Sequence, residues 1–415
     1  MRILLLTQIA PNPPNAGPKV KTHYVLRTLA EEHEVELITF ARSPDEIKHA
    51  QLLREWCSNV TTIQLDRNRI QEPLYAARGW SQLNPFLVAR DYRAAFSAAV
   101  RRRLDAGTVD AVHADQLSMA QYLDLAHRPA YPAVRRVFDA HNAVWELVRE
   151  LAPRQSTPAH RAAAEIEWRL LRRFEGRVAR ASSLTLCVSN RDRIALENAA
   201  GKAIRTAVIP IGVEVRDQSI TPFNPDARRL LSIATMHYPP NAEAIRWFAS
   251  DVWPGLRQTR PDVGVDVVGA RPPGDIVDLA ASDSSISIHG FVENVDSLYS
   301  QAAVFIVPLR AGSGVRVKIL EAMARGVPVV STSIGADGLD VEHGTHLLVA
   351  DTPADFARAV TTLLEQPELR RSIAQAARQR ALALYDWRQC CQPLLDIYRG
   401  FDVHRTERPA SLLTH

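Results

Sequence analysis

Between residues 308 and 330 the sequence sets Gly312, Ser313 and Gly314 just ahead of Arg316 and Lys318, with Glu321 one helical turn further on. An apolar run ending at Pro308 predicts a strand. The Gly-Ser-Gly turn then leads through Val315 into a helix over 315–325, and Gly326-Val327-Pro328 ends that helix and opens the next strand. Glycines at such a turn leave backbone N–H groups aimed at an anion. Cations in a first helical turn oppose the helix dipole, so Arg316 and Lys318 at this position point to a bound anion, and their spacing suits a diphosphate. An ionised carboxylate only accepts hydrogen bonds, which fits Glu321 to a pair of vicinal hydroxyls such as those of ribose. The plainer alternative is a helix cap carrying surface charges.

Two further clusters lie at predicted strand ends. Phe138-Asp139-Ala140-His141-Asn142 closes an apolar run. Asp139, His141 and Asn142 there can exchange hydrogen bonds with sugar or acceptor hydroxyls, and His141 can also polarise a leaving group. The same residues would equally make a buried His–Asp pair that braces the loop. After the first strand comes a Pro-, Asn- and Gly-rich loop over 10–18, then Lys19 and Lys21. Gly17 allows close approach of a phosphate to the backbone and to the N-terminus of the following helix, with Lys21 adding charge and a contact to sugar or acceptor. The full dinucleotide glycine pattern is missing, which argues against an NAD site.

These residues need elements to hold them. Strands are predicted at 2–8, 34–40, 60–65, 109–114, 136–140, 183–188 and 207–209. A second set follows at 230–234, 263–268, 285–288, 304–308, 327–331 and 347–349, with helical patterns between. Such alternation predicts parallel sheets covered on both faces. The 415 residues suffice for two domains, and the Pro- and Gly-rich stretch 210–225 is the expected break. Ligands of doubly wound sheets lie beyond the carboxyl ends of the strands, where all three clusters fall.

Composition sets the outer limits. Hydrophobic residues make up 46% and charged residues 23%, as in soluble globular proteins, and no apolar run is long enough to span a bilayer. A cytoplasmic protein is therefore expected. Cys57, Cys187, Cys390 and Cys391 have neither metal-ligand nor disulfide-framework spacing. Residues 1–210 carry 30 Lys and Arg against 22 Asp and Glu, a surplus suited to an anionic partner or simply to a solvated surface. Part of it lies on an amphipathic helix over 160–180, where a basic face could touch an anionic membrane or merely face water.

With these residues in view, the chain resembles the retaining GT-B transferases of glycosyltransferase family 4. The resemblance spans nearly the whole chain. Its most specific part is the run Lys318-Ile319-Leu320-Glu321-Ala322-Met323-Ala324-Arg325-Gly326-Val327-Pro328-Val329-Val330. Asp139-Ala140-His141, Val188-Ser189-Asn190-Arg191-Asp192 and Val208-Ile209-Pro210-Ile211-Gly212-Val213-Glu214 support it. The resemblance implies an α/β fold of two Rossmann-like domains facing across a cleft. It implies an acceptor-binding domain over 1–210, a nucleotide-sugar-binding domain over 211–385, a helix over 386–405 returning to the first domain and a tail over 406–415. It implies transfer of a hexose-type sugar from a nucleoside-diphosphate sugar to a hydroxyl acceptor, with retention. Carried over by position, Glu321 holds the ribose, His141 the sugar and Gly17 a phosphate, and Gly290-Phe291 lies near the base.

Three departures stand out. Ser313 replaces the first glutamate of the family's two-glutamate motif, the usual Arg and Lys are missing from 234–241, and Ile211 stands where the family has Asn. Arg316 and Lys318 are expected to neutralise the diphosphate in their place. No Asp-x-Asp pattern is present, so neither a divalent metal nor another cofactor is expected, and no nucleic-acid partner. The rival readings are a nucleotide-sugar epimerase and a non-catalytic nucleotide-sugar-binding subunit.

Overall fold

A computed structural model describes the chain apart from residues 15–16, 67–71, 128, 156, 313–314 and 407–415. The chain divides into two compact units. One comprises Met1–Gly212 together with the chain from Cys390 onward, and the other Val213–Gln389.

The first unit is built on a parallel sheet of β1 (Arg2–Thr7), β2 (Glu34–Ala41), β3 (Asn59–Gln64), β4 (Ala111–Asp115), β5 (Arg135–Ala140), β6 (Leu184–Cys187) and β7 (Thr206–Val208). Their spatial order is β3-β2-β1-β4-β5-β6-β7. The inner strands are buried on both faces, as helices on both sides of a parallel sheet require. Leu4, Leu5 and Leu6 of β1 are fully buried, as are Val112 and Ala114 of β4. That is why these strands read as continuous apolar runs rather than alternating ones. Strand order reverses between β1 and β4, which opens a crevice beyond their carboxyl ends.

The second unit repeats the plan with β8 (Arg229–Ile233), β9 (Gly264–Val268), β10 (Ile286–Ile288), β11 (Ala302–Val307), β12 (Val329–Ser331) and β13 (Leu348–Val349), ordered β10-β9-β8-β11-β12-β13. It has its own apolar core, with Val304, Ile306, Phe356 and Val360 at the centre. Its order reverses between β8 and β11, so the loops leaving those strands frame its crevice. Every predicted strand is present, with ends displaced by one or two residues.

The helix Pro158–Ala181 starts at a Thr157 cap that accepts from the His160 N–H, with Pro158 in the first turn. It buries Leu170, Leu171, Phe174 and Val178, while Arg169, Arg172, Arg173 and Arg177 are exposed. Of the apolar residues on its stripe only Ile166 faces water. The apolar side is therefore taken up by the protein core, leaving only the cationic face to offer a membrane. Among the described residues no helix is long and apolar enough to cross one. The four cysteines are buried and reduced.

The final helix, Trp387–Thr406, begins in the second unit and continues into the first. Its start is clamped where Val213 N–H donates to the Tyr385 carbonyl (2.8 Å) and Trp387 N–H to that of Val213 (3.0 Å). Further on, Leu394, Leu395, Tyr398 and Phe401 are buried in the first unit, and Arg399 pairs with Glu32.

Candidate functional site

In the first unit the polar cluster grows from two aspartates at neighbouring strand ends. Asp115 closes β4 and Asp139 sits next to the end of β5, directly opposite in register. Like charges placed so repel, and both are fully buried. The chain answers with donors for all four carboxylate oxygens. Lys21, buried in the Gly17–Glu32 helix, pairs with Asp139 Oδ1. His113 Nε2 lies 3.4 Å from Asp139 Oδ2. His141 Nε2 is 2.8 Å from Asp115 Oδ1, and the Thr22 hydroxyl donates to Asp115 Oδ2 at 2.9 Å. Burial raises the Asp139 carboxyl, but Lys21 and the hydrogen bond from His113 outweigh it and hold the group well below the usual carboxylate range. Asp115, Asp139 and His141 lie close enough together to suggest a metal triad. This donor network accounts for the cluster through the protein's own groups.

Lys21 and Asp139 were expected to touch sugar or acceptor. Instead they face each other inside the protein, 2% and 0% exposed. The reason is the opposed aspartates: Asp139, buried facing a like charge, takes Lys21 as its counter-charge. Asp139 thus braces the loop, and the half-buried His141 and Asn142 are the members of this cluster that reach its edge. Gln116, directly after Asp115, holds φ +72 and donates its N–H to the Asp139 carbonyl at 2.9 Å. A non-glycine residue in that conformation is strained, and such strain gathers at functional loops. Gly17 is half-buried at the start of its helix.

The segment that follows His141 and Asn142 is held from below. No local side chain caps the helix Val144–Leu151. Its first N–H groups are taken by carboxylates from other helices: Ala143 N–H by Asp192 (2.9 Å), Val144 and Trp145 N–H by Glu175 (2.9 Å each). The next residue, Gly176, lets this helix pack closely on Asn190–Ala200, since a Cβ there would collide with the Ala199 carbonyl. Burial pushes the Glu175 carboxyl up to about 8, the two backbone donors only partly offsetting it. A folded pKa above the unfolded one gives stability that is full at low pH and falls as pH rises through the window between the two. Wild type should therefore lose up to about 1.4 kcal/mol per pH unit between roughly pH 5 and pH 8, relative to Glu175→Gln. Melting curves of both proteins across that range check it; parallel curves would refute it.

In the second unit, the helix Val317–Ala324 follows the loop leaving β11, with Arg316 as its cap residue and no capping side chain. Arg316 was expected inside the first turn. It precedes the helix because the chain turns at Gly312, with φ +120, and the Arg316 side chain folds back over that glycine. A Cβ at Gly312 would lie 3.0 Å from Arg316 Nη2 and 3.9 Å from the Tyr238 hydroxyl. Tyr238 comes from the loop after β8, so both crevice loops meet here. Burial lowers the Arg316 pKa, yet a guanidinium keeps its charge. Lys318 Nζ reaches both Glu321 oxygens, at 3.0 and 2.7 Å, and both side chains remain partly exposed. Val315 is half-buried beside Arg316. Ser313 and Gly314, expected to bind donor, lie outside the described residues. Arg310 is engaged by Glu243. After β10, Gly290 takes φ +64 and accepts from Gly269 N–H at 2.7 Å, which leaves Phe291 66% exposed.

Sequence reasoning missed Asp115, His113, Glu175, Tyr238 and Tyr398. The first two had a signal: Ala111-Val112-His113-Ala114-Asp115 carries polar residues into a strand end just as 138–142 does. The others act through distant elements and carry no local pattern.

Comparison with known proteins agrees with this architecture. Residues 17–217 match the family model Glycosyltransferase Family 4, and residues 227–366 match Glycosyl transferases group 1. The chain belongs to the group 1, family 4 type of glycosyltransferases, built as a GT-B pair of Rossmann-like domains. It is 34% identical over 120 residues to a D-inositol 3-phosphate glycosyltransferase of Corynebacterium urealyticum, a match covering 28% of each chain. With a GDP-mannose-dependent alpha-(1-6)-phosphatidylinositol monomannoside mannosyltransferase of Mycolicibacterium smegmatis it shares 31% over 161 residues, 35% of this chain and 42% of the relative. These curated relatives are thus matched over less than half their length. Among solved structures, Anabaena Alr3699/HepE in complex with UDP has a TM-score of 0.69 at 17% identity, covering 96% of this chain and 100% of that one. Sucrose-phosphate synthase of Thermosynechococcus elongatus has 0.72 at 15%, covering 97% and 100%.

Proposed function

We propose that this glycosyltransferase moves a hexose-type sugar from a nucleoside-diphosphate sugar to a hydroxyl acceptor, retaining the anomeric configuration and using neither metal nor other cofactor. The observation that carries the reading is the placement of Arg316, Lys318 and Glu321 at and just after the start of the helix that leaves β11 at the second unit's switch point, with Lys318 on Glu321. In this reading Arg316, Lys318 and the Val315 N–H receive the diphosphate. Such preorganised charge favours departure of the nucleoside diphosphate. Glu321 takes the ribose hydroxyls and exchanges its Lys318 partner for them, so donor binding hands the ammonium to the phosphates. Phe291, exposed beside Gly290, stacks on the base. In the first unit His141, its Nε2 held by Asp115, keeps its other ring nitrogen for a sugar or acceptor hydroxyl, with Asn142 beside it in sequence. The departing phosphate accepts the acceptor's proton, so no enzyme nucleophile is needed.

The relatives bind UDP in one case and depend on GDP-mannose in another, which makes uridine and guanosine diphosphates the first probes. One of them is expected to raise the melting temperature by binding the folded form. Its sugar conjugate should release nucleoside diphosphate in the presence of hydroxyl acceptors, undiminished by EDTA, and NMR should show the anomeric configuration kept. Isomerised donor with no release would favour an epimerase; binding without turnover would favour a non-catalytic subunit.

A further inference from the structure

The buried Asp139 network extends beyond the strand ends to the final helix. Tyr398 places its hydroxyl 2.8 Å from His113 Nδ1, with the two rings within 7° of parallel. His113 Nε2 in turn faces Asp139, whose other oxygen holds Lys21. Tyr398, His113 and Asp139 are each 0% exposed. The aspartate is ionised beside Lys21 and can only accept, so Nε2 facing it carries the proton. A neutral imidazole then has a bare Nδ1 that needs a donor. Tyr398 supplies one: its burial favours the protonated phenol.

We propose that Tyr398 is a positioning residue. It fixes His113 as the Nε2–H tautomer and so pins the Asp139 carboxylate in register with Asp115, the residue that orients His141. The role in turnover rests on the transferase reading above, but the tautomer does not. The final helix thereby acts on the His141 loop from the far end of the sequence, through hydrogen bonds rather than contact with substrate.

The test uses the full-length protein with 15N-labelled histidine rings. The long-range 15N–1H pattern distinguishes the two neutral tautomers and the imidazolium, and His113→Gln identifies its resonances. Wild type is expected to show protonated Nε2 and a hydrogen-bonded, bare Nδ1 at neutral pH. In Tyr398→Phe the Nδ1 signal should move toward that of an unbonded nitrogen. The same variant should lower kcat about tenfold, the rate equivalent of one lost buried hydrogen bond, at unchanged donor KM. An imidazolium or an Nδ1–H tautomer in wild type overturns the proposal, and this holds even if the variant fails to fold. A variant with unmoved His113 signals, or with kcat unchanged, overturns it as well. Wild type with the expected tautomer but no transfer from any donor would instead discard the transferase reading and leave the assignment of Tyr398 to His113 intact.

Discussion

Lys21→Met is expected to destabilise the first unit by about 3–5 kcal/mol, the cost of leaving a buried charge without its partner. Asp115 and Asp139 stand opposed in register at two neighbouring strand ends and wholly out of water. With Lys21 present, Asp139 is an anion at neutral pH, and that contribution is lost only as pH falls through and below the ordinary carboxylate range. Methionine keeps the length and the apolar stem but removes the charge. Two facing carboxylates would then share the donors His113, His141 and Thr22. One of them must take up a proton or the strand ends must part. The double variant Lys21→Met/Asp139→Asn should recover much of the loss, because no unpaired anion remains. Urea unfolding followed in the single and double variants measures both. A single-variant loss below about 1 kcal/mol would mean the pair contributes no more than one exposed at the surface.

Lys318→Ala should lower kcat by about 10²–10³-fold, corresponding to ~2–4 kcal/mol of transition-state stabilisation, while changing stability little. Lys318 is only partly buried and its partner Glu321 lies one turn away on the same short helix. A pair of that kind adds little to folding, so its ammonium can be given up to a bound diphosphate at small cost. A diphosphate leaving a sugar gains negative charge as the bond breaks. An ammonium beside it then interacts more strongly in the transition state than in the ground state. Lys318→Arg should keep part of the rate, though a planar guanidinium does not reproduce a compact ammonium. Initial rates with saturating donor check this; turnover within threefold of wild type would take Lys318 out of the reaction.

How far such features could be read in advance varied with how local their causes are. The strands were legible because burial on both faces writes uninterrupted apolar runs such as 3–6 and 303–307. The Lys318–Glu321 cluster was legible because a helix N-terminus places its residues by counting. The role of Asp139 was not, because its partners come from the first helix, from β4 and, through His113, from a helix some 260 positions later. Glu175 and Asp192 were hidden for the same reason. Each caps a helix to which it does not belong, so no capping motif precedes Val144. Lys21 misled in an instructive way: a lysine after a Pro-rich loop reads as a ligand contact until the sheet shows two aspartates behind it.

The path of the final helix bears on how the protein is made. Residues 213–389 form one continuous stretch that makes a compact unit of its own, and domains generally fold as units during synthesis. The first unit is synthesised earlier yet finishes later. Until the chain beyond Cys390 emerges, the first unit lacks the buried Tyr398 and Phe401, and His113 lacks its Tyr398 partner. The nascent amino-terminal half must therefore wait, with an apolar surface open, through the translation of an entire second unit.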